Sequence, residues 1–336
     1  MSADPVRIAL IGMGWWGRKM LHVLAAAPAE IRVLRAVEPD VDAVRALCAA
    51  RGVTVTAAYA DALNDPAVEA VVLATPHALH EAQIAEAVAA GKHVFCEKPL
   101  ALTRTGAEKA VTLCREAGLI LGMGHERRWE PPVADLLTKA DAGVLGRIQQ
   151  IEANFSHDKF LSLDRDNWRL NADHAPAGGM TATGIHLLDL SVRLLGPAES
   201  VLCICERLSS DLPQGDTTAA YVKFKGGGTS YVSASLANPF MSRFAVYGAK
   251  GWIDIRDKAH VEAPEGWIIT SAMAGGPITT IEVPPAEAVK DNLVAFARAI
   301  RGGASYPITA EHLVNNIALL EAVFASARSG NIVRVA

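Results

Sequence analysis

Two segments carry residues whose types and spacing could do chemistry: Gly12-Met13-Gly14-Trp15-Trp16-Gly17 and Glu97-Lys98-Pro99. A G-x-G-x-x-G run suits a pyrophosphate. The first glycine permits a tight turn, the second lets backbone amides approach phosphate oxygens, and the third lets a helix pack closely on its strand. A lysine beside a nicotinamide can hydrogen-bond a substrate hydroxyl and, when partly desolvated, exchange its proton as general acid or base. A solvated surface lysine is the plainer reading of Lys98 taken alone.

Both segments need a scaffold that places them. Val6 to Ile11 is an apolar, β-branched run and Lys19 to Ala27 reads as a helix, so the glycines fall at a strand-to-helix turn where unpaired helix amides meet a ligand. A second strand, Ile31 to Val37, ends in Glu38, 21 residues beyond Gly17. An acid there can accept hydrogen bonds from an adenine-ribose diol and would repel a 2′-phosphate, which favours NAD over NADP. Arg18 and Arg35 are the residues that could still reach such a phosphate.

The alternation continues with a helix from Asp40 to Ala50, a strand from Val68 to Ala74 and a helix from Ala78 to Ala90. A strand from His93 to Cys96, a helix from Thr103 to Ala117 and a strand from Leu119 to Gly122 follow. This βαβ repetition predicts a doubly wound parallel sheet with ligands at the carboxyl ends of its strands. In the loop Thr75-Pro76-His77-Ala78-Leu79-His80, Thr75 should lie over the same edge as the glycines, near a cofactor ribose or nicotinamide. His80 is either a cofactor contact or a residue that caps or packs within the following helix. Glu97 and Lys98 end the next strand, and Pro99 halts regular pairing, so both polar side chains are expected to face the crevice.

Composition bounds the class. With 336 residues, 20% charged residues and a net charge of −4, the chain is long enough for two domains with substantial cores. There is no basic stripe for nucleic acid and no apolar run near the ~20 residues of a membrane span. Strand one begins within six residues of the start, which leaves no room for a signal peptide, so a cytoplasmic protein is expected. The five cysteines, Cys48, Cys96, Cys114, Cys203 and Cys205, have no CxxC pair or His-rich partners, so no metal site is expected. Cys203 and Cys205 read as a reduced pair on one strand face, and Cys96 as core.

After Gly124 the pattern changes to Ile148–Phe155, Ser200–Leu208, Thr217–Phe224, Thr229–Leu236, Phe244–Tyr247 and Trp252–Arg256, strands close enough to favour antiparallel pairing. Two helices, Ala286 to Arg301 and Ala310 to Ser329, form the tail. The expected division is 1–124 for an α/β nucleotide domain and 125–336 for an α+β domain. Within the latter, Ala177-Gly178-Gly179-Met180-Thr181-Ala182-Thr183-Gly184-Ile185-His186-Leu187-Leu188-Asp189 leads into a helix, with His186 and Asp189 able to share a side. A neutral histidine suits removal of a hydroxyl proton as hydride leaves the same carbon. A core or capping histidine fits the residue types equally well.

The Gly12–Gly17 turn, Thr75-Pro76 with His80, Gly91-Lys92-His93-Val94 and Glu97-Lys98-Pro99-Leu100, in that order, resemble the Gfo/Idh/MocA oxidoreductases, which include inositol dehydrogenases and glucose-fructose oxidoreductase. The resemblance covers nearly the whole chain. It implies an N-terminal Rossmann domain and a C-terminal, mostly antiparallel open-sheet domain. It also implies that His186 faces the substrate opposite Lys98, making them the proton-handling pair. The cofactor set would be Gly12, Met13, Gly14, Trp15, Trp16, Gly17, Glu38, Thr75, Pro76, His77, His80, Glu97 and Lys98. To these it adds Arg127, in a segment resembling the family's basic-aromatic junction. His157, Trp168, Arg169, Thr183 and Asp189 are candidates for substrate contact, and Asp189 either orients His186 or packs its helix. The open sheet face implies a homodimer or homotetramer.

One position departs from the family. Many of its sugar and inositol dehydrogenases carry an aspartate four residues before the histidine, where this chain has Ala182. An alanine cannot bind a hydroxyl or orient a lysine. The leading expectation is an NAD-dependent dehydrogenase of a secondary alcohol on a sugar, cyclitol or related polyol. A dehydrogenase of a carboxylated cyclic diol or hemiacetal is the second, and a non-catalytic nucleotide-binding sensor or structural protein the third.

Overall fold

The structure, a computed structural model, describes residues 4–336. The nucleotide-domain half alternates β1 (Val6–Ile11), α1 (Trp15–Leu24), β2 (Ile31–Val37), α2 (Asp42–Ala49), β3 (Thr54–Thr56), α3 (Tyr59–Leu63) and β4 (Ala70–Leu73). It continues with α4 (His80–Ala89), β5 (His93–Cys96), α5 (Arg104–Glu116) and β6 (Leu121–Met123). The six strands pair in parallel in the order β3-β2-β1-β4-β5-β6. Helices on both faces explain why β4 is buried throughout and carries an unbroken apolar run. Strand order reverses at β1, whose neighbours are β2 and β4, and such a switch point opens a crevice at the strand carboxyl ends.

The other sheet has nine strands. α6 (Pro131–Asp141) starts with two prolines, which suit a helix's first turn. β7 (Ile148–Ser156), α7 (Ile185–Leu195), β8 (Ala198–Glu206), β9 (Thr217–Phe224) and β10 (Thr229–Ser235) follow, then β11 (Met241–Gly248), β12 (Gly251–Asp257), β13 (Trp267–Met273) and β14 (Thr279–Val283). Beyond them come α8 (Ala288–Ile300), α9 (Ala310–Ser329) and β15 (Val333–Arg334). The sheet order is β14-β13-β12-β11-β7-β10-β9-β8-β15. Every pair is antiparallel except β7 with β10, where the intervening α7, β8 and β9 supply the crossover that parallel pairing needs. β13 and β14 had no counterpart in the sequence reading. Their residues are mostly half-buried or exposed, so the alternation that marks a one-sided strand is weak.

Two compact units result: Met1–Glu126 with Glu287–Leu313, and Arg127–Ala286 with Val314–Ala336. The expected boundary after residue 124 therefore moves by two residues, and α8 returns to the first unit instead of staying in the second. Its side chains explain this. Phe296 packs on Phe95 with ring centroids 5.6 Å apart, and Asn292 Nδ2 donates to the Met123 carbonyl at 2.9 Å. Beyond the helix, Tyr306 Oη accepts from the Met123 amide at 3.0 Å, and Arg301 pairs with Glu69 at 2.8 Å. Among the described residues no helix is long and apolar enough to cross a membrane.

Candidate active site

The glycine loop has the stereochemistry its spacing predicts. Gly12 has φ +88°, and a Cβ there would sit 2.7 Å from the Ala74 carbonyl oxygen. A Cβ on Gly17 would lie 2.0 Å from the Gly12 oxygen, so the start of α1 could not seat on the β1 turn. Gly14 differs: nothing lies within 4 Å of the Cβ it lacks. It is the N-cap of α1, extended and without a side-chain cap, so the first-turn amides open onto that space. An unfilled cradle before uncapped amides at the positive end of a helix dipole fits a pyrophosphate.

Glu38 reaches the same loop. Its Oε2 accepts from the Met13 amide at 2.8 Å, while the Met13 carbonyl accepts from Arg18 Nε at 3.0 Å. The backbone of Met13 is thus held by an acid at its amide and by a guanidinium at its carbonyl. Arg18 Nη2 also donates to Ala43 O at 3.2 Å, and Arg35 is tied to Asp65 at 2.6 Å. Of the two arginines that could serve a phosphate, only Arg18 stands at the glycine loop.

The loops after β4 and β5 lie at the same carboxyl edge. The Thr75 hydroxyl donates to Gln83 Oε1 at 2.6 Å. His80 is fully buried, with Nδ1 2.7 Å from Pro99 O and Nε2 3.1 Å from Thr75 O. Burial pushes its pKa below the usual histidine range, against the pull of the Pro99 and Thr75 carbonyls. It packs within the fold instead of facing a cofactor, the second of the roles open to it from sequence. Glu97 is buried at the end of β5. Its carboxylate lies where a Cβ on Gly124 would come within 2.5 Å, and its Oε2 accepts from the Lys98 amide at 3.2 Å. Lys98 itself is half-buried. Cys96 is core, as expected: its thiol is fully buried, donates to Glu97 O at 3.1 Å and is pushed well up by burial.

In the second unit, His186 is the second residue of α7 and is buried. The turn before it, Met180–Gly184, is a π-helix, a widened turn that recurs at functional sites. Ala177 enters it with a left-handed φ of +57°, and the Thr181 hydroxyl is tied to Pro176 O. The Thr183 hydroxyl donates to Phe155 O at 2.7 Å, which fastens this turn to the end of β7. Ala182 packs against Leu170, Leu212 and Leu236 beside Phe160 and Leu163, so apolar side chains surround the position four residues before His186.

Two sequence-based assignments are corrected here. Asp189 takes both its oxygens to Arg128, at 2.7 Å from Nε and 2.7 Å from Nη2, a buried fork-to-fork pair that makes it a structural anchor. Arg127, expected at the cofactor, is 2% exposed and engages its own unit: Ser242 at 2.8 Å, Asp257 at 3.0 Å and Glu130 at 3.2 Å, with its guanidinium over the Phe155 ring. His157 is buried with Phe155, Phe160 and His260 around it. Trp168 and Arg169 stack on each other at 4.4 Å, and Gln214 holds the Arg169 carbonyl at 2.9 Å. Sequence reasoning missed Glu130, Ser242, Asp257 and His260. Glu130 stands three residues from Arg127, whereas Ser242 and Asp257 reach Arg127, and His260 reaches His157, only through the tertiary fold.

The arrangement has known counterparts. Residues 6–125 match the Gfo/Idh/MocA profile described as an oxidoreductase family with an NAD-binding Rossmann fold, and residues 134–254 match the Gfo/Idh/MocA C-terminal domain. The 1,5-anhydro-D-fructose reductase of Ensifer adhaerens is 31% identical over 80% of this chain and 80% of its own. The scyllo-inositol 2-dehydrogenase (NADP(+)) IolW of Bacillus subtilis is 26% identical over 79% and 78%. Among solved structures, levoglucosan dehydrogenase in complex with NADH superposes with a TM-score of 0.85 at 21% identity, covering 99% of this chain and 100% of that one. The chain therefore belongs to the Gfo/Idh/MocA family of oxidoreductases, with a Rossmann domain of the family's nucleotide-binding type.

Proposed function

We propose that the protein is an NAD-dependent dehydrogenase of a secondary alcohol on a sugar, cyclitol or related polyol, with Lys98 and His186 handling the hydroxyl proton. The observation that carries this reading is the glycine loop itself: an open cradle at Gly14 before uncapped helix amides, with the Glu38 carboxylate on the adjacent Met13 amide. Gly12 to Gly17 would hold the pyrophosphate and Glu38 the adenine ribose. The nicotinamide, when bound, supplies the hydride acceptor. Lys98 would polarise the reacting hydroxyl, and His186 would take its proton as base. Relatives acting on an anhydrofructose and an inositol support the carbohydrate class. The IolW enzyme carries NADP(+) in its name, so the preference for NAD rests on Glu38 alone.

The carboxylated-diol alternative needs a cation for the carboxylate. Arg127 and Arg128 are committed to Asp257, Glu130 and Asp189, which counts against either of them binding a substrate carboxylate. The same reading includes a homodimer or homotetramer, because Ile204, Tyr221 and Tyr231 are about half exposed on one face of the nine-stranded sheet. Light scattering of the purified protein tests it, and a monomer at micromolar concentration would refute it.

The decisive experiment screens anhydrosugars, inositols, aldoses and cyclic diol acids for NADH formation with wild-type protein, Lys98→Met and His186→Ala. Each variant should lose about 10²-fold or more in turnover while keeping NAD affinity. Normal turnover in both would refute the mechanism. Tight NAD binding with no turnover of any compound would favour the sensor reading.

A further inference from the structure

The helix α4 opens with a histidine that hydride transfer does not require. His80 has no solvent exposure, and its two ring nitrogens face carbonyls of two different loops, Pro99 O and Thr75 O. Those loops follow β5 and β4, the strands that deliver Lys98 and Thr75 to the sheet's carboxyl edge. One imidazole spans both.

We propose that His80 is a positioning residue for Lys98: by donating from Nδ1 to the Pro99 carbonyl, it fixes the backbone immediately after the lysine. The proposal rests on Lys98 being the proton-handling group. Pro99, Leu100 and Ala101 are all buried, so the Pro99 carbonyl cannot turn to water and must find a donor within the protein. On the other side of Lys98, its own amide donates to Glu97 Oε2 at 3.2 Å. The backbone is thus held on both flanks of the lysine.

The two contacts of His80 are unequal. A neutral imidazole carries one N–H, and we place it on Nδ1, whose contact with Pro99 O is the shorter, 2.7 Å against 3.1 Å. Thr75 has a second anchor on the same helix, because Gln83, three residues after His80, takes its hydroxyl at 2.6 Å. Removing the imidazole therefore leaves Thr75 held by Gln83 while the Pro99 carbonyl loses its His80 donor. A displacement of even ~1 Å in a reacting group can lower turnover about 10²-fold.

The test reads Lys98 directly and needs no substrate. Full-length protein is reductively methylated with ¹³C-formaldehyde, and the Lys98 resonance is assigned by its disappearance in Lys98→Arg. In His80→Leu the Lys98 resonance should shift and its titration midpoint should move by about 0.5 pH unit or more. The Lys19 resonance, whose ammonium pairs with Glu287 in the same unit, should stay in place. His80→Asn keeps a donor near the Nδ1 position and should restore the wild-type signal. If His80→Leu does not fold, His80→Gln replaces it, since its donor is carried one bond further from the backbone and misses the Pro99 oxygen. A Lys98 resonance unmoved in the Leu or Gln variant, or moved as far in Asn as in Leu, overturns the proposal. With a compound that is turned over, kcat should fall about tenfold or more in His80→Leu, with KM for NAD within about threefold, and recover in His80→Asn. The outcomes separate cleanly. Loss of turnover in Lys98→Met with an unmoved Lys98 resonance refutes positioning and keeps the proton role; normal turnover in Lys98→Met refutes the proton role, and the resonance still decides whether His80 sets the lysine's position.

Discussion

Replacing Glu38 should change which dinucleotide the protein prefers, and two variants divide its roles. Glu38→Gln retains an oxygen for the Met13 amide, now 2.8 Å from Oε2, but removes the charge. Glu38→Ala removes both. A hydrogen bond to a charged acceptor contributes about 1.5–3 kcal/mol and one to a neutral acceptor about 0.5–1.5. Glu38→Gln should therefore weaken NAD by about 1–1.5 kcal/mol, roughly tenfold, and Glu38→Ala by about 2–3 kcal/mol, roughly 10²-fold. For NADP the sign reverses. A carboxylate about 4 Å from a 2′-phosphate would repel it by up to about 4 kcal/mol per unit charge at an effective dielectric of ~20, of which about 1–2 survives screening at the surface. The NAD-to-NADP selectivity should fall by about 10²-fold in Glu38→Gln and further in Glu38→Ala. Calorimetric titration of both nucleotides against the three proteins measures it. Arg18→Ala added to Glu38→Ala should cancel the NADP gain, because Arg18 is the guanidinium on the same residue, Met13, that Glu38 holds. A selectivity ratio constant within threefold across Glu38, Gln and Ala would refute the ribose role and leave Glu38 as a brace for the loop.

The glycines offer a contrast between fold and ligand. Gly14→Ala should leave the melting temperature unchanged, since its Cβ meets nothing within 4 Å, yet weaken NAD more than tenfold; Gly17→Ala should lower both, because its Cβ lies 2.0 Å from Gly12 O. Differential scanning calorimetry beside NAD titration checks the pair, and a destabilised Gly14→Ala would contradict the open cradle. Asp216 is a pH-sensitive anchor. Burial works to raise its pKa, but the Leu208 and Ser209 amides and the Ser210 and Thr217 hydroxyls outweigh it and hold the carboxyl at about 2. A folded-state pKa below the unfolded value stabilises above about pH 4, and that contribution, roughly 2 kcal/mol, is lost as pH falls towards 2. Asp216→Asn should flatten the acid limb of the stability–pH curve between pH 4 and 2, and an unchanged limb would refute the assignment.

The sequence was most readable where local geometry dictates residue type. Gly12 needs a positive φ, Gly17 a close helix approach, and the buried β4 an unbroken apolar run, so a strand, turn and helix could be read in order. Thr217–Phe224 shows the same legibility in the other sheet, with alternation that matches its buried and exposed faces. Legibility fell where partners are distant in sequence. Arg127 and Asp189 have the residue types of a binding site, but Asp257 and Arg128 claim them, and charge alone cannot reveal which partner wins. The seat of the Glu97 carboxylate depends on the room that Gly124 leaves, a relation between two strands' ends that neither segment shows alone.

The return of α8 to the first unit has a consequence for synthesis. The β1–β6 sheet emerges from the ribosome with Phe95, Met123 and Glu69 still lacking Phe296, Asn292, Tyr306 and Arg301, which lie beyond the entire nine-stranded sheet apart from β15. Domains usually fold as units in the order they are made. Here the unit begun first cannot be sealed until residues near 306 have emerged, so β7 to β14 are complete before it is. The nucleotide-binding half is then finished by the chain that leaves the other half, and a fragment cut at Glu126 should aggregate unless the 287–313 segment is supplied to it.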